Sequence, residues 1–162
     1  MLFRSVHLVG HDWGGQLAWL TAAHHPESLR SLSVLSRPHP AAFARALRSD
    51  AKQAERSRHQ RGFHDPKTAE LLLEEDARRL RRILVSSGVP TADADAYLQT
   101  FQDREALDAR LNWYRAAGSK ALGGADCPPV SPPTLYPRGD RDAPVGREAA
   151  EPDRQSTRLN SR

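Results

Sequence analysis

The chain has 162 residues, enough for one modest hydrophobic core, and 38% of them are hydrophobic before its 10 glycines are counted. Its formal charge of +4 comes from 24 Lys and Arg against 20 Asp and Glu, interleaved along the chain, which excludes nucleic-acid binding through a basic stripe. A single cysteine, Cys127, excludes an internal disulfide and a cysteine-rich zinc site, and no run approaches the ~20 apolar residues of a membrane span.

Val6-His7-Leu8-Val9 reads as a short strand ending at Gly10. His11 and Asp12 follow Gly10 at once, where a secretory leader would continue apolar, so a cytoplasmic protein is expected. Leu17, Ala18, Leu20, Thr21 and Ala22 fit a helix with a small apolar face, stopped by Pro26. Leu29 to Leu35 is a second apolar run, closed by Ser36-Arg37-Pro38-His39-Pro40. Strand, turn, helix and strand within about thirty residues make a βαβ unit with parallel strands.

The middle of the chain has helical periodicity only. Residues 41–56 carry Phe43 and Leu47 four apart, and residues 67–86 carry Leu71, Leu72, Leu73, Leu80, Ile83 and Leu84. Residues 92–101 and 103–117 repeat the spacing with Tyr97 and Phe101, then Leu107, Leu111 and Tyr114. Breaks fall at Gly62/Pro66, at Gly88-Val89-Pro90 and near Gly118. Arg78-Arg79-Leu80-Arg81-Arg82, preceded by Glu74-Glu75-Asp76, predicts acid–base pairs one helical turn apart on a solvated face. Gly123 to Pro133 is a Gly/Pro-rich linker, and Thr134-Leu135-Tyr136 reads as a further strand running into Gly139-Asp140-Arg141-Asp142. Pro137 keeps that strand short, because proline has no N–H for the ladder.

Gly10-His11-Asp12-Trp13-Gly14 has the form small-x-nucleophile-x-small. A sharp strand-to-helix turn forces the central residue into a strained backbone conformation and lifts its side chain into the open. The helix starting behind it favours negative charge at that point, and the backbone N–H of Trp13 can serve as an oxyanion donor. An aspartate at the centre suits attack on saturated carbon, opening an epoxide or displacing a halide to leave an alkyl ester that activated water then hydrolyses. The turn lacks G-x-G-x-x-G and G-K-[ST], and its carboxylate would repel phosphate.

His11-Asp12-Trp13-Gly14-Gly15 resembles the elbow of the α/β-hydrolase epoxide hydrolases and of the related haloalkane dehalogenases. Pro38-His39-Pro40 and Asn112-Trp113-Tyr114-Arg115 resemble the epoxide-hydrolase patterns and favour that branch. The resemblance implies a helical cap inserted into a parallel core, with Asp12 as nucleophile and Tyr114 donating its hydroxyl to the epoxide oxygen. It implies a second cap donor in the segment Arg56-Ser57-Arg58-His59, where His59 stands at the matching position in place of tyrosine. By the same match Asp142 orients the catalytic histidine, while Asp140 holds the loop through local hydrogen bonds. It implies neither metal nor organic cofactor, and small apolar epoxides or haloalkanes as substrates in an enclosed site.

The expected architecture is therefore a partial α/β-hydrolase core. Residues 1–40 form the elbow segment, 41–120 the helical cap, 121–151 the linker and acid-bearing strand, and 152–162 a disordered or artefactual tail. The family's strands before the elbow and its H-G-x-P oxyanion loop have no counterpart in Met1–Ser5, and all seven histidines precede Asp142. The expected function is an epoxide-hydrolase-type reaction that this chain does not complete. The rivals are haloalkane dehalogenation and a non-catalytic fragment or helical interaction module.

Overall fold

Val6–His11 forms strand β1, and the computed structural model describes residues 5–101, 103–117 and 126–150. Helix α1 (Asp12–His24) follows with no intervening loop, and a single 3-10 turn (Pro26–Ser28) leads into β2 (Leu29–Leu35). The expected βαβ unit is thus present, with β1 and β2 parallel and Leu8 opposite Leu32. The tail expected at 152–162 lies outside the described residues.

Strand β3 is only Thr134–Leu135, parallel to β2, and the sheet order is β1-β2-β3. Prolines bound it on both sides. Pro133 and Pro137 cannot donate, but Pro133 accepts from Leu32 N–H of β2 at 2.9 Å and Pro137 from Ser36 N–H, one residue past β2, at 3.0 Å. The strand is short because of them, yet its pairing with β2 runs past both of its ends.

One face of the sheet is covered by α1. Ala18, Trp19 and Ala22 pack on Leu29, Leu32 and Val34, with Leu8, Val130 and Tyr136 at the margin. Trp19 and Leu32 have no exposed surface, and the indole N–H of Trp19 donates to the Arg37 carbonyl at 2.9 Å. A buried indole placed this way contributes apolar area without leaving its one donor unpaired.

The expected 41–56 helix is two helices. α2 (Pro40–Ser49) ends at Asp50, whose carboxylate accepts from the N–H groups of Lys52 and Gln53 and so starts α3 (Ala51–Arg56). Val145 and Ala149 pack against Phe43 and Ala46 of α2, Ala149 belonging to the last described helix, which spans Arg147–Ala150. The described residues divide into two compact units, one drawn from Met1–Arg58 and Ser119–Arg162, the other from His59–Gly118.

The second unit is all helical. It contains α4 (Arg58–Gly62, which begins one residue before it), α5 (Thr68–Ser86), α6 (Thr91–Gln99) and α7 (Arg104–Ala117); Arg147–Ala150 is then α8. Its core is Ala69, Leu72, Leu107 and Leu111, joined by Phe63, Leu73 and Phe101. The continuous 67–86 helix read from the sequence is interrupted. Glu75, Asp76 and Ala77 have φ of 50°, 54° and 56°, three successive non-glycine residues in the left-handed region. This also corrects the expected ladder of acid–base pairs. Arg78 does reach Glu75 at 2.6 Å, but Arg81 pairs instead with Asp95 of α6.

Arg115 ties α7 together. Its guanidinium donates to Asp108 Oδ1 and Asn112 Oδ1, both at 2.7 Å, and to the Phe63 carbonyl at 3.2 Å. The hydrogen bond from Arg115 holds the Asp108 carboxyl below the usual carboxylate range. A depressed folded-state value means that this contribution is present above the unfolded value and is lost as pH falls through the folded one.

Two measurements check these points. Ala77→Gly removes one left-handed Cβ, so urea unfolding should show a gain of up to about 1 kcal/mol despite glycine's greater unfolded entropy. Thermal melts of Asp108→Asn should lose stability relative to wild type at neutral pH, and the gap should close as pH drops below 3.8.

Candidate active site

At the junction of β1 and α1 the strand and the helix approach closely. A Cβ at Gly10 would lie 2.5 Å from the Gly14 carbonyl oxygen and 2.9 Å from Ala18 Cβ, so only glycine lets the strand end directly against the helix. At Gly15 a Cβ would meet Val34 Cγ1 at 2.9 Å and Arg37 Cβ at 3.0 Å, which fixes α1 against the end of β2. Gly14 itself has open space around it. Of the two small positions in the small-x-nucleophile-x-small pattern, only Gly10 is therefore sterically required. On the far side it is Gly15 that must lack a side chain.

Between these glycines the chain must change from extended to helical in one residue. His11 is still extended at φ −128°, and Asp12 takes φ +49°. A left-handed non-glycine residue is strained, and aspartate is among the few that tolerate it. The carboxylate is exposed at the first position of α1, where the helix dipole favours an anion. Trp13 follows in the first helical turn, where backbone N–H groups point out of the N-terminal end.

Behind the elbow, Arg37 packs its guanidinium 4.4 Å from the Phe43 ring centroid and 5.7 Å from that of Trp13, while its Nε donates to the buried Gln16 at 3.2 Å. His39, 3% exposed, is structural. Its Nδ1 accepts the Ala41 N–H at 3.3 Å and caps α2, which leaves Nε2 to donate to the Pro128 carbonyl at 3.1 Å. Its ring stands edge-on to Trp19 at 5.2 Å. These bonds give Pro38-His39-Pro40 a role in joining the end of β2 to α2 and to the segment before β3. Cys127, buried beside Pro128, lies against that same segment.

Asp142 lies in the turn after β3. All three strands are parallel, so β1, which runs into Asp12, and β3, which runs toward this turn, point their carboxyl ends to the same side of the sheet. The half-buried Asp142 carboxylate accepts from the Val145 N–H at 2.9 Å, and its own N–H donates to the Gly139 carbonyl at 3.3 Å. The local hydrogen bond expected of Asp140 is thus made by Asp142, and Asp140 is exposed. Helix α3 supports the turn, with Arg56 Nη1 donating to the carbonyls of Asp142 at 3.2 Å and Ala143 at 2.8 Å.

In the helical unit, His59 and Tyr114 meet the same ring. Phe63 stands edge-on to His59 at 5.7 Å and to Tyr114 at 4.6 Å. Arg115 holds the Phe63 backbone through its carbonyl, and the Phe63 ring is the aromatic neighbour that the two candidate donors share. Among the described residues, no three His, Cys, Asp or Glu side chains converge as a set of metal ligands, and no helix is long and apolar enough to cross a membrane.

Residues 2–159 match the family model described as alpha/beta hydrolase fold. The chain is 32% identical over 159 residues to epoxide hydrolase 4 of Mus musculus, covering 89% of this chain and 42% of that one. Among solved structures it is similar to a mutant epoxide hydrolase from Bacillus megaterium, with a TM-score of 0.75 at 23% identity over 96% of this chain and 59% of that one. It is also similar to a haloalkane dehalogenase variant from Bradyrhizobium elkanii, with a TM-score of 0.65 at 24% identity over 96% of this chain and 57% of that one. The chain thus spans less than half the length of its mouse relative. A left-handed residue between a parallel strand and its helix, and a match over nearly the whole sequence, lead to one conclusion: the chain belongs to the α/β-hydrolase-fold family, with epoxide hydrolases among its relatives.

Proposed function

We propose that the chain carries the nucleophile, acid and cap-donor residues of an epoxide-hydrolase-type site, in which Asp12 forms a covalent ester with its substrate. The observation that carries this reading is the φ of +49° at Asp12. A carboxylate held in a strained conformation at an exposed helix N-terminus is positioned for chemistry, since stability alone would favour glycine there.

In the proposed first step, one Asp12 oxygen attacks an epoxide carbon. The ring C–O bond breaks, and the departing oxygen takes a proton from the Tyr114 hydroxyl, with His59 as the second donor. The product is a hydroxyalkyl ester of Asp12. In the second step water, deprotonated by a histidine that Asp142 orients, adds to the ester carbonyl. The Trp13 N–H supports the oxyanion; on collapse the departing alkoxide takes the carboxyl proton to leave as a diol, which restores the Asp12 carboxylate, and the histidinium returns its proton to the Tyr114 phenolate. Small apolar epoxides fit this scheme, which draws on no metal or organic cofactor, and the cytoplasm is its proposed setting.

Haloalkane dehalogenation is the second reading. It uses the same nucleophile, and it is favoured by the likeness to a dehalogenase fold and by the indole of Trp13, whose N–H suits a halide. A non-catalytic role for the chain is the third.

Intact-protein mass spectrometry separates the three. Incubation with styrene oxide should add the mass of one epoxide, mapped to Asp12, and Asp12→Asn should abolish the addition while keeping the fold, because asparagine also tolerates the left-handed conformation. Halide release from a bromoalkane without epoxide labelling would favour the second reading, and no adduct with either reagent the third. In the family the chain resembles, the base histidine follows the acid in sequence, and all seven histidines here precede Asp142, so the 162-residue chain should stop at the ester. Repeated diol formation by the purified chain would overturn that point. Tyr114→Phe should slow epoxide labelling by roughly 10²-fold, the lower range of general-acid assistance, with no change in thermal stability beyond about 1 kcal/mol.

A further inference from the structure

We infer that Gln53, assisted by Arg56, is the positioning residue for Asp142, and that the acid of the site is held by helix α3 as much as by its own turn. This rests on the reading that gives Asp142 the task of orienting a histidine. Gln53 has no exposed surface, yet it carries two donors and an acceptor that must be satisfied. Its Nε2 donates to Ser57 Oγ at 3.0 Å and to the Pro144 carbonyl at 2.9 Å, while its Oε1 accepts the Gly146 N–H at 2.8 Å. Two of these three bonds cross more than ninety residues of sequence to the segment just after Asp142.

The bonds bracket the one that matters. Gln53 holds Pro144 and Gly146 on either side of Val145, and the Val145 N–H is the group that fixes the Asp142 carboxylate. Arg56 holds the carbonyls of Asp142 and Ala143, and Arg138 donates to the Val145 carbonyl at 3.3 Å. Every residue from 142 to 146 therefore has a backbone group bound to a side chain outside the turn or to the Asp142 carboxylate. The approach is close enough that a Cβ at Gly146 would come within 3.2 Å of Gln53 Oε1 and 2.8 Å of Glu148 Oε2. With its rotation limited by Val145, the Asp142 carboxylate can present only one oxygen elsewhere. A residue that merely filled the interior at position 53 would need no such polar set, and an apolar side chain of the same size would serve.

The test uses the 162-residue chain and amide exchange followed by NMR. Gln53→Leu should speed exchange at Val145 and Gly146 at least tenfold and shift the Asp142 carboxyl carbon signal, with Leu32 and Val34 in β2 unchanged. Since Gln53→Leu leaves buried groups unpaired and can fail to fold, Arg56→Met provides an exposed-site variant. It should loosen the same two amides, and Arg56→Lys should restore part of the protection. Unchanged exchange at both amides in the variants that fold, or equal loosening of β2 and the turn, would overturn the assignment. Styrene-oxide labelling of wild-type Asp12 is read alongside. Absence of the adduct would overturn the function and the catalytic meaning of the clamp together, whereas an adduct with an unaffected turn would overturn the clamp alone.

Discussion

The strand-to-helix junction at Gly10 sets the terms for everything else at the carboxyl end of the sheet. A peptide carbonyl of the first helical turn stands where a Cβ of residue 10 would be, so β1 ends and α1 begins without a spacer. The reversal must then be absorbed at a single position, and it falls on Asp12. The same geometry presses Gly15 against Val34 and Arg37, which aligns α1 over β2 and brings Trp19 into the core. The exposed Asp12 carboxylate and the packing behind it share one steric cause. The strain at Asp12 persists because the surrounding contacts over-determine it.

The polar groups behind the sheet follow a consistent plan. Buried polar side chains are used to join segments distant in sequence. His39 ties α2 to Pro128, Trp19 ties α1 to the end of β2, and Gln53 ties α3 to the turn after β3. Among the described residues, no buried side-chain nitrogen or oxygen lacks a partner. Each bond is worth only about 1 kcal/mol net, but leaving one of these groups unpaired would cost up to about 3 kcal/mol, so together they specify a single arrangement. The helical unit relies on the same device once, through Arg115 and its three acceptors around Phe63.

What could be read from the sequence was what local chemistry determines. Gly10 and Asp12 mark the elbow because their steric demand is local, whereas the need for Gly15 in place of Gly14 comes from β2 and was not visible; β2 itself was legible as one apolar run from Leu29 to Leu35. The left-handed turn at Glu75-Asp76-Ala77 was not, since no glycine or asparagine marks it and the apolar spacing on either side is compatible with a continuous helix. Asp50-Ala51-Lys52-Gln53 has the form of a capping box, in which the glutamine would reach back to the cap. Asp50 does cap α3, but Gln53 turns to Gly146, ninety-three residues away, a choice no local pattern encodes. Tyr114 and His59 share a neighbour in Phe63, which their helical spacing alone could not reveal.

The pairing of β2 with β3 joins Leu32 to Thr134, about 100 residues apart. Closing so long a loop from an unfolded chain costs about 4 kcal/mol of entropy, and a two-residue strand bounded by prolines returns little on first contact. The helical unit between them, His59–Gly118, has a core drawn from its own residues. If it condenses first, it shortens the open chain that must be searched, so its own packing becomes a kinetic aid to the sheet. Folding order is then set by the helical unit, with the short third strand and the turn after it docking last.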